Sequence, residues 1–397
     1  MKSNLPNSQF SSPKPHNNNP RIVIVHDWLT NMGGAELVVL AMHEAFPNAP
    51  IFTSTFTPEN MPLFKDLDIR TTYLQNLPKP LRKFHKFFPI LRVKAFQKLD
   101  LSEFDIILSS SSAEAKQVKK TRPNQIHICY CHTPIRYYWS HYKEYKKDPG
   151  FGKLNWIVKL VMPLMIPLLK KKDYKASQDV DVFISNSSET QKRVKKYYNK
   201  PSHIIHPPVD VNRFNPKTQR GDYFVALGRQ VPYKRIDLAV KAFTKLNMPL
   251  KVFGNGSEHE NIKKIAGPSI EFFTDRFGDA SDKAVTNALN NAKGFIFPTE
   301  EDFGIVQVEA LASGTPVIAF GKGGALDIIQ DGESGVLFDY QTVDSIIDAI
   351  KRTEKIRFSP FLLHQKAKRF DKSLFITKIK KVISDSYLSK LETLNKR

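Results

Sequence analysis

Two Rossmann-like α/β domains with parallel sheets, facing each other across a cleft, are what this sequence predicts. Three observations carry the prediction. The chain has 397 residues, long for one core and natural for two domains. Short β-branched or apolar runs recur at intervals that leave room for a helix between them, the mark of βαβ units. A proline-rich segment, Pro207-Pro208-Val209-Asp210 through Phe214-Asn215-Pro216, separates two such series, and proline there stiffens an extended connection. A hydrophobic content of 41% with 11% aromatic residues belongs to a globular chain.

Residues 21–25 (RIVIV) read as the first strand, ending in His26-Asp27-Trp28. A loop containing Gly33-Gly34 and a helical pattern over 35–45 follow. Strand, glycine turn and helix open a Rossmann-like half. Further buried runs at 51–54, 106–109, 126–131 and 182–186 complete a parallel sheet. The second series has strands at 223–227, 250–253, 270–273, 294–297 and 316–319, and a last helix over 374–388 returns to the first domain. The expected division is a tail over 1–20, a first domain over 21–206, a second over 217–372 and a C-terminal helix within 373–397. The tail is rich in Ser, Asn and Pro and lacks an apolar core, so it reads as disordered, not as a secretory signal.

The formal charge of +21 favours a polyanionic partner: nucleic acid, an anionic bilayer or a phosphorylated substrate. Residues 79–98 (KPLRKFHKFFPILRVKAFQK) interleave basic with aromatic and aliphatic residues and hold no acid. Such a segment lies well on an anionic membrane surface, or packs in the first domain with its lysines solvated. Residues 154–169 are the most apolar window. They are short for a span, contain Lys159, Pro163 and Pro167, and run into Lys170-Lys171-Lys172. Lying on a membrane (with 153–172 as a second contact) and packing into the core both remain open. The two cysteines, Cys129 and Cys131, share one strand face and cannot complete a zinc site, so they read as core residues of a reduced, cytosolic protein. No helix-turn-helix, zinc-finger or single-strand-binding pattern supports nucleic acid.

The densest chemistry lies in residues 298–311, PTEEDFGIVQVEAL. Glu301 sits at the carboxyl end of the strand over 294–297. A Phe303-Gly304 turn follows, and Glu309 lies on the next helix about two turns on. At about 1.5 Å per residue, that span is on the order of the sugar-to-ribose distance in a nucleotide sugar. The Gly304, Ile305 and Val306 amides begin the helix, where N–H groups are free for an anion or sugar hydroxyls.

This pattern resembles the E-x7-E signature of retaining glycosyltransferases of family 4, which have the GT-B fold. Other motifs agree in order, from about residue 21 to 385. Leu227-Gly228-Arg229 follows the first strand of the second half, and Pro232-Tyr233-Lys234-Arg235 comes next. The resemblance implies that Arg229 and Lys234 hold the donor diphosphate. A leaving nucleoside diphosphate gains negative charge, and fixed cations stabilise it without a metal. Gly33-Gly34 matches the family's glycine loop, which lets the backbone approach the diphosphate or sugar. His132, in Cys131-His132-Thr133-Pro134, matches the histidine that meets the donor sugar. Glu301 would bind sugar hydroxyls and Glu309 the ribose, with Gly254 and Arg276 near the nucleotide. Arg136 suits either an anionic acceptor or a structural ion pair. Asp302 departs from the commonest motif, where glycine is frequent. The Gly323-Gly324 pair and the turn over 331–335 are assigned structural roles.

The resemblance is strongest to bacterial mannosyltransferases of surface polysaccharide. It implies a metal-independent, retaining hexosyltransferase that needs no cofactor beyond a nucleotide-sugar donor, GDP-mannose first, and a glycan or lipid-linked acceptor. Its place would be cytoplasmic, peripheral on the inner face of the cell membrane. The alternatives are an epimerase or other enzyme on the same architecture, and a basic nucleic-acid-binding protein.

Overall fold

The computed structural model describes residues 20–78, 82, 88–140, 142, 155–274 and 281–396. The expected tail lies almost wholly outside these, as do residues 79–81, 83–87, 153 and 154.

The first sheet has seven parallel strands in the order β3-β2-β1-β4-β5-β6-β7. They are β1 (Ile22–His26), β2 (Ile51–Thr53), β3 (Ile69–Thr71), β4 (Ile106–Ser111), β5 (Ile126–Cys131), β6 (Val182–Ser185) and β7 (Ser202–Ile204). The described helices here are α1 (Gly34–Ala45), α2 (Pro89–Gln97), α3 (Asn155–Asp179) and α4 (Ser188–Tyr198). Side chains alternate across β1: Ile24 packs with Val38 and Met42 of α1, while Val23 and Val25 meet Phe96 and Ile107 on the other face. Each such side chain contributes about 1.5–3 kcal/mol by its burial.

The second sheet has six parallel strands in the order β10-β9-β8-β11-β12-β13. These are β8 (Phe224–Leu227), β9 (Leu250–Phe253), β10 (Ile270–Phe273), β11 (Gly294–Phe297), β12 (Val317–Phe320) and β13 (Gly335–Phe338). Its helices are α5 (Ile236–Leu246), α6 (His259–Lys264), α7 (Asp282–Asn291), α8 (Ile305–Ala312), α9 (Ala325–Ile328), α10 (Val343–Glu354) and α11 (Pro360–Ala367). The chain then crosses back. A bridge joins Val209 to Asp371, and α12 (Lys372–Asn395) lays Phe375, Ile379, Ile383 and Tyr387 into the core of the first domain.

Strand order reverses between β1 and β4 in one sheet and between β8 and β11 in the other. Loops leaving the carboxyl ends at such switch points diverge and open a crevice. Three strands had no counterpart in the sequence reading. β3 and β7 are edge strands of three residues, largely polar or half-exposed, without an apolar run. β13 is buried but only four residues long and follows the turn over 331–335 directly.

The basic segment is partly core. Arg92, Val93, Ala95 and Phe96 of α2 are buried, while Phe88 and Leu91 are exposed. Arg92 thus belongs to the interior, where its guanidinium pairs with buried Glu114 at 2.7 Å. On α3, Ile166 and Leu169 pack against Ile135 and Tyr138. Trp156, Leu160, Leu164 and Leu168, spaced by four, face out, with Leu164 78% exposed. Among the described residues no helix is long and apolar enough to cross a membrane. Cys129 and Cys131 are unbridged and share one buried cluster with Phe183 and Val194, and burial pushes the Cys129 thiol up to about 12.

Candidate active site

The facing strand ends enclose a cavity of about 530 Å³, within the range of small-molecule sites. His132, Gly34, Arg136, Arg229, Lys234, Glu301, Phe303, Gly304, Ile305 and Val306 all line it. Gly33, Gly254 and Glu309 do not contribute to that lining, and Arg276 lies outside the described residues.

One wall belongs to the second domain. Lys234 ends a short 3-10 turn (Pro232–Lys234) after β8, anchored where Thr299 Oγ1 donates to its carbonyl at 2.7 Å. Its ammonium contacts the Glu301 carboxylate. Burial, then the neighbouring charges of Arg229 and Arg136, pushes Lys234 down to about 7. The charge of Asp302 opposes that push, and so does the contact with Glu301, because an adjacent carboxylate favours the charged amine. Arg229 is exposed and donates to the Tyr233 hydroxyl at 3.0 Å. Gly304 caps α8 at φ +92, a conformation that favours glycine. Ile305 and Val306, which open α8, line the cleft, and helix-start amides lack intrahelical acceptors. Glu309, further along α8, pairs with Arg213 of the interdomain connection. Burial raises its acid, with Arg213 opposing. Gly254 packs against the Gly228 backbone, where a Cβ would meet the carbonyl oxygen at 2.3 Å.

The other wall comes from the first domain. The Asp27 carboxylate, after β1, accepts from the amides of Ser112 at 2.6 Å, Ala113 at 2.9 Å and Ala115 at 2.7 Å. It thereby fixes the loop after β4 that lines the cleft. Here buried Arg92 and Glu114 pair, and the half-buried Tyr137 donates its hydroxyl to Glu114 at 2.8 Å. Burial works against the Glu114 carboxylate, yet the charge and hydrogen bonds of Arg92 outweigh it and hold Glu114 below its ordinary value. His132 leaves β5 with Nε2 turned inward, 2.8 Å from Ser110 Oγ. Burial pushes it down to about 3, so the ring is neutral.

The walls touch. Asp302 of the second domain pairs with both Arg136 and Arg193 of the first. The Ser188 amide donates to Asp327 at 2.7 Å. A Cβ on Gly34 would lie 2.8 Å from the Ile305 side chain, so this glycine allows the loop after β1 to close against α8. Arg193, Arg213, Glu36 and Tyr137 were not singled out in the sequence. Arg193 stands in a basic helix beside Lys192 and Lys195, and its link to Asp302 spans 109 positions, so no local pattern marks it. Among the described residues no group of three His, Cys, Asp or Glu is placed to hold a metal ion.

Two facing parallel sheets with anion-ready loops at their switch points define a GT-B glycosyltransferase fold. Residues 32–213 match Glycosyltransferase Family 4 and residues 210–373 match Glycosyl transferases group 1, so the chain belongs to this family of glycosyltransferases. It is 28% identical over 216 residues to a GDP-mannose-dependent α-(1-6)-phosphatidylinositol monomannoside mannosyltransferase of Mycolicibacterium smegmatis, covering 47% of this chain and 56% of that protein. It is 29% identical over 212 residues to a D-inositol 3-phosphate glycosyltransferase of a Nocardioides species, covering 43% and 45%. The matched region thus spans about half the length of these curated relatives. In fold the chain resembles HepE of Anabaena in complex with UDP, at a TM-score of 0.65 and 15% identity over 92% of this chain and 100% of that one. It also resembles sucrose-phosphate synthase of Thermosynechococcus elongatus, at 0.69 and 16% over 93% and 100%.

Proposed function

We propose that this glycosyltransferase moves mannose from GDP-mannose to a lipid-linked or glycan acceptor, with retention at the anomeric carbon and without a metal. The observation that carries the reading is the set of Arg229, Lys234, Glu301 and the start of α8 on one wall, with His132 on the facing one. Arg229 and Lys234 would hold the diphosphate, and Glu301 would turn from Lys234 to the sugar hydroxyls. The bond from the anomeric carbon to phosphate oxygen breaks, and its electron pair leaves with the diphosphate. The acceptor oxygen bonds to that carbon from the same face, and its proton passes to the departing phosphate oxygen. Charge gathers on the diphosphate beside the two cations, where it is best stabilised. The mannosyltransferase relative supports the choice of donor.

An anionic membrane, at the cytoplasmic leaflet, is the proposed seat of the acceptor. Both segments singled out by charge and hydropathy meet at one corner: Ile90 of α2 and Ile166 and Leu169 of α3 pack on Ile135 and Tyr138. That turn also carries Arg136 and Tyr137 into the cleft. The exposed stripe of α3 with its lysines would therefore seat the first-domain side of the cleft on lipid.

Thermal stabilisation across GDP, UDP, ADP and their sugar conjugates, with and without chelator, tests the donor. A shift specific to GDP and GDP-mannose that survives the chelator is expected. A shift with another diphosphate alone overturns the donor, and loss on chelation overturns metal independence. Co-sedimentation with vesicles tests the seat. Binding that requires anionic lipid and is lost in Leu160→Glu/Leu164→Glu is expected, and no binding to any vesicle removes it.

A further inference from the structure

We infer that His26 and Ser110 are positioning residues that fix His132 in the tautomer carrying its proton on Nδ1. The polarity of a buried hydrogen-bond chain requires it. His26 Nδ1 lies 3.1 Å from the Ser110 carbonyl oxygen and 3.1 Å from Ser110 Oγ. A carbonyl oxygen only accepts, so His26 Nδ1 carries a hydrogen and shares it between the two oxygens. Ser110 Oγ therefore accepts from His26 and keeps its own proton to give. Ser110 is fully buried, and the one other partner its hydroxyl has among the described residues is His132 Nε2, at 2.8 Å. A buried hydroxyl with a partner at that distance uses it. The serine donates, Nε2 accepts, and the neutral imidazole of His132 holds its hydrogen on Nδ1.

The surroundings agree. The Glu36 carboxylate stands 3.6 Å from His26 Nε2. Burial lowers the basicity of His26, but the hydrogen bond and charge of Glu36, with the charge of Asp27, leave it raised. An imidazolium at His26 has a hydrogen on each nitrogen, so Nδ1 donates to Ser110 while Nε2 faces the Glu36 carboxylate, which is the polarity required. His132 meets the edge of Tyr130 at 5.2 Å and the ring of His26 at 6.5 Å between centroids, and senses the charges of His26 and Asp302. Protonating it would turn Nε2 into a second donor aimed at Ser110 Oγ and leave the serine hydrogen without an acceptor. Nδ1 has no partner among the described residues, and His132 lines the cleft.

On the transferase reading, which this step extends, His132 thus presents a fixed N–H donor to the donor-sugar oxygens. The opposite tautomer would present a lone pair, which accepts from a hydroxyl but repels the ring and phosphate oxygens, which only accept. The sequence distances hide the chain of contacts: 84 positions separate His26 from Ser110, and 22 separate Ser110 from His132.

Ring nitrogen-15 spectra of histidine-labelled full-length protein test the inference without substrate. Wild type should show a protonated Nδ1 and a bare Nε2 at His132; a protonated Nε2 overturns the inference. Ser110→Ala and His26→Leu should yield mixed tautomers, while His26→Asn, whose amide nitrogen reaches the place of Nδ1, should restore the single form. The ring of His127, buried and paired with Ser109 Oγ at 2.8 Å, serves as an internal control that stays unchanged. With GDP-mannose, kcat should fall about 10–100-fold in Ser110→Ala and His26→Leu, recover in His26→Asn, and leave donor KM within a few-fold. Unchanged tautomer and unchanged kcat in both variants would refute the role. A chain that transfers nothing yet shows Nδ1–H at His132 keeps the inference and loses the donor reading instead.

Discussion

The two walls of the cleft hold their charges in opposite ways. In the first domain the charged groups are spent on one another: Arg92 on Glu114, Lys116 on Asp173 at 2.6 Å, and Asp27 on three loop amides, all nearly sealed from solvent. In the second domain Arg229 is exposed, and Lys234 and Glu301, paired with each other, line the cleft. One wall uses electrostatics to keep its shape, and on the proposed function the other offers its charges to a ligand. Removing a charge should therefore cost stability on the first wall and turnover on the second.

The largest effect expected is on the first wall. Arg92→Met leaves the Glu114 carboxylate buried without its cation, at a loss of about 3–5 kcal/mol, because a stranded buried charge is worse than a neutral core. Urea denaturation reads it, and adding Glu114→Gln should recover most of the loss. Arg229→Met should stay within about 0.5 kcal/mol of wild type in the same experiment. Equal losses at the two sites would erase the distinction between the walls.

Next comes turnover. Lys234→Met should lower kcat by about 10²–10³-fold, the scale of losing one fixed donor at a developing charge, with the thermal midpoint unchanged or raised. Glu301→Ala should likewise lose transfer and keep the fold. Full activity in either would remove them from the site.

A smaller, graded effect follows from the depressed Lys234. The ammonium attracts diphosphate only while protonated, so affinity should hold below pH 7 and fall as pH rises through its value of about 7. The slope approaches tenfold in Kd per pH unit, until the raised value in the complex is reached. Glu301 moves the onset upward, so the slope and not the midpoint is diagnostic. Calorimetry with GDP between pH 7.5 and 9 measures it; Lys234→Arg should be flat there, and a flat wild type would show that Lys234 stays charged.

The same contrast explains what could be read from the chain alone. Buried strands such as 126–131 announce themselves as apolar runs, and α8 (Ile305–Ala312) starts just after the Phe303-Gly304 turn, as its pattern gave. Second-domain site residues follow their strands by a few positions, so Arg229, Lys234 and Glu301 were visible as motifs. The first wall works through pairs distant in sequence. Nothing in a window around Arg92 distinguishes it from the lysines beside it, in a run that read either as membrane-facing or as packed in the first domain with its lysines solvated. Arg193 and the partners of His132 were invisible for the same reason. Asp302 was noticed only as a departure from the motif, because its role exists in the folded cleft alone.

Asp302→Gly tests where the two walls meet, and the expected effect is the smallest. The substitution restores the commoner motif residue and removes the carboxylate shared by Arg136 and Arg193. Arg193 keeps Glu189 at 3.0 Å, so the first domain loses little of its own stability. The contacts of Ser188 with Asp327 and of Gly34 with Ile305 remain, so the cleft loosens without coming apart. Arg136 is partly open to solvent, which screens its share of the pair to about 1 kcal/mol or less. That corresponds to a rise in donor KM of about five-fold at most. Small-angle scattering should show a slightly larger radius of gyration for the unliganded variant and the same radius as wild type once nucleotide sugar is bound. A variant as compact as wild type without ligand would mean that the two walls are held together by packing at Gly34 and Ile305, with the charges across the cleft idle.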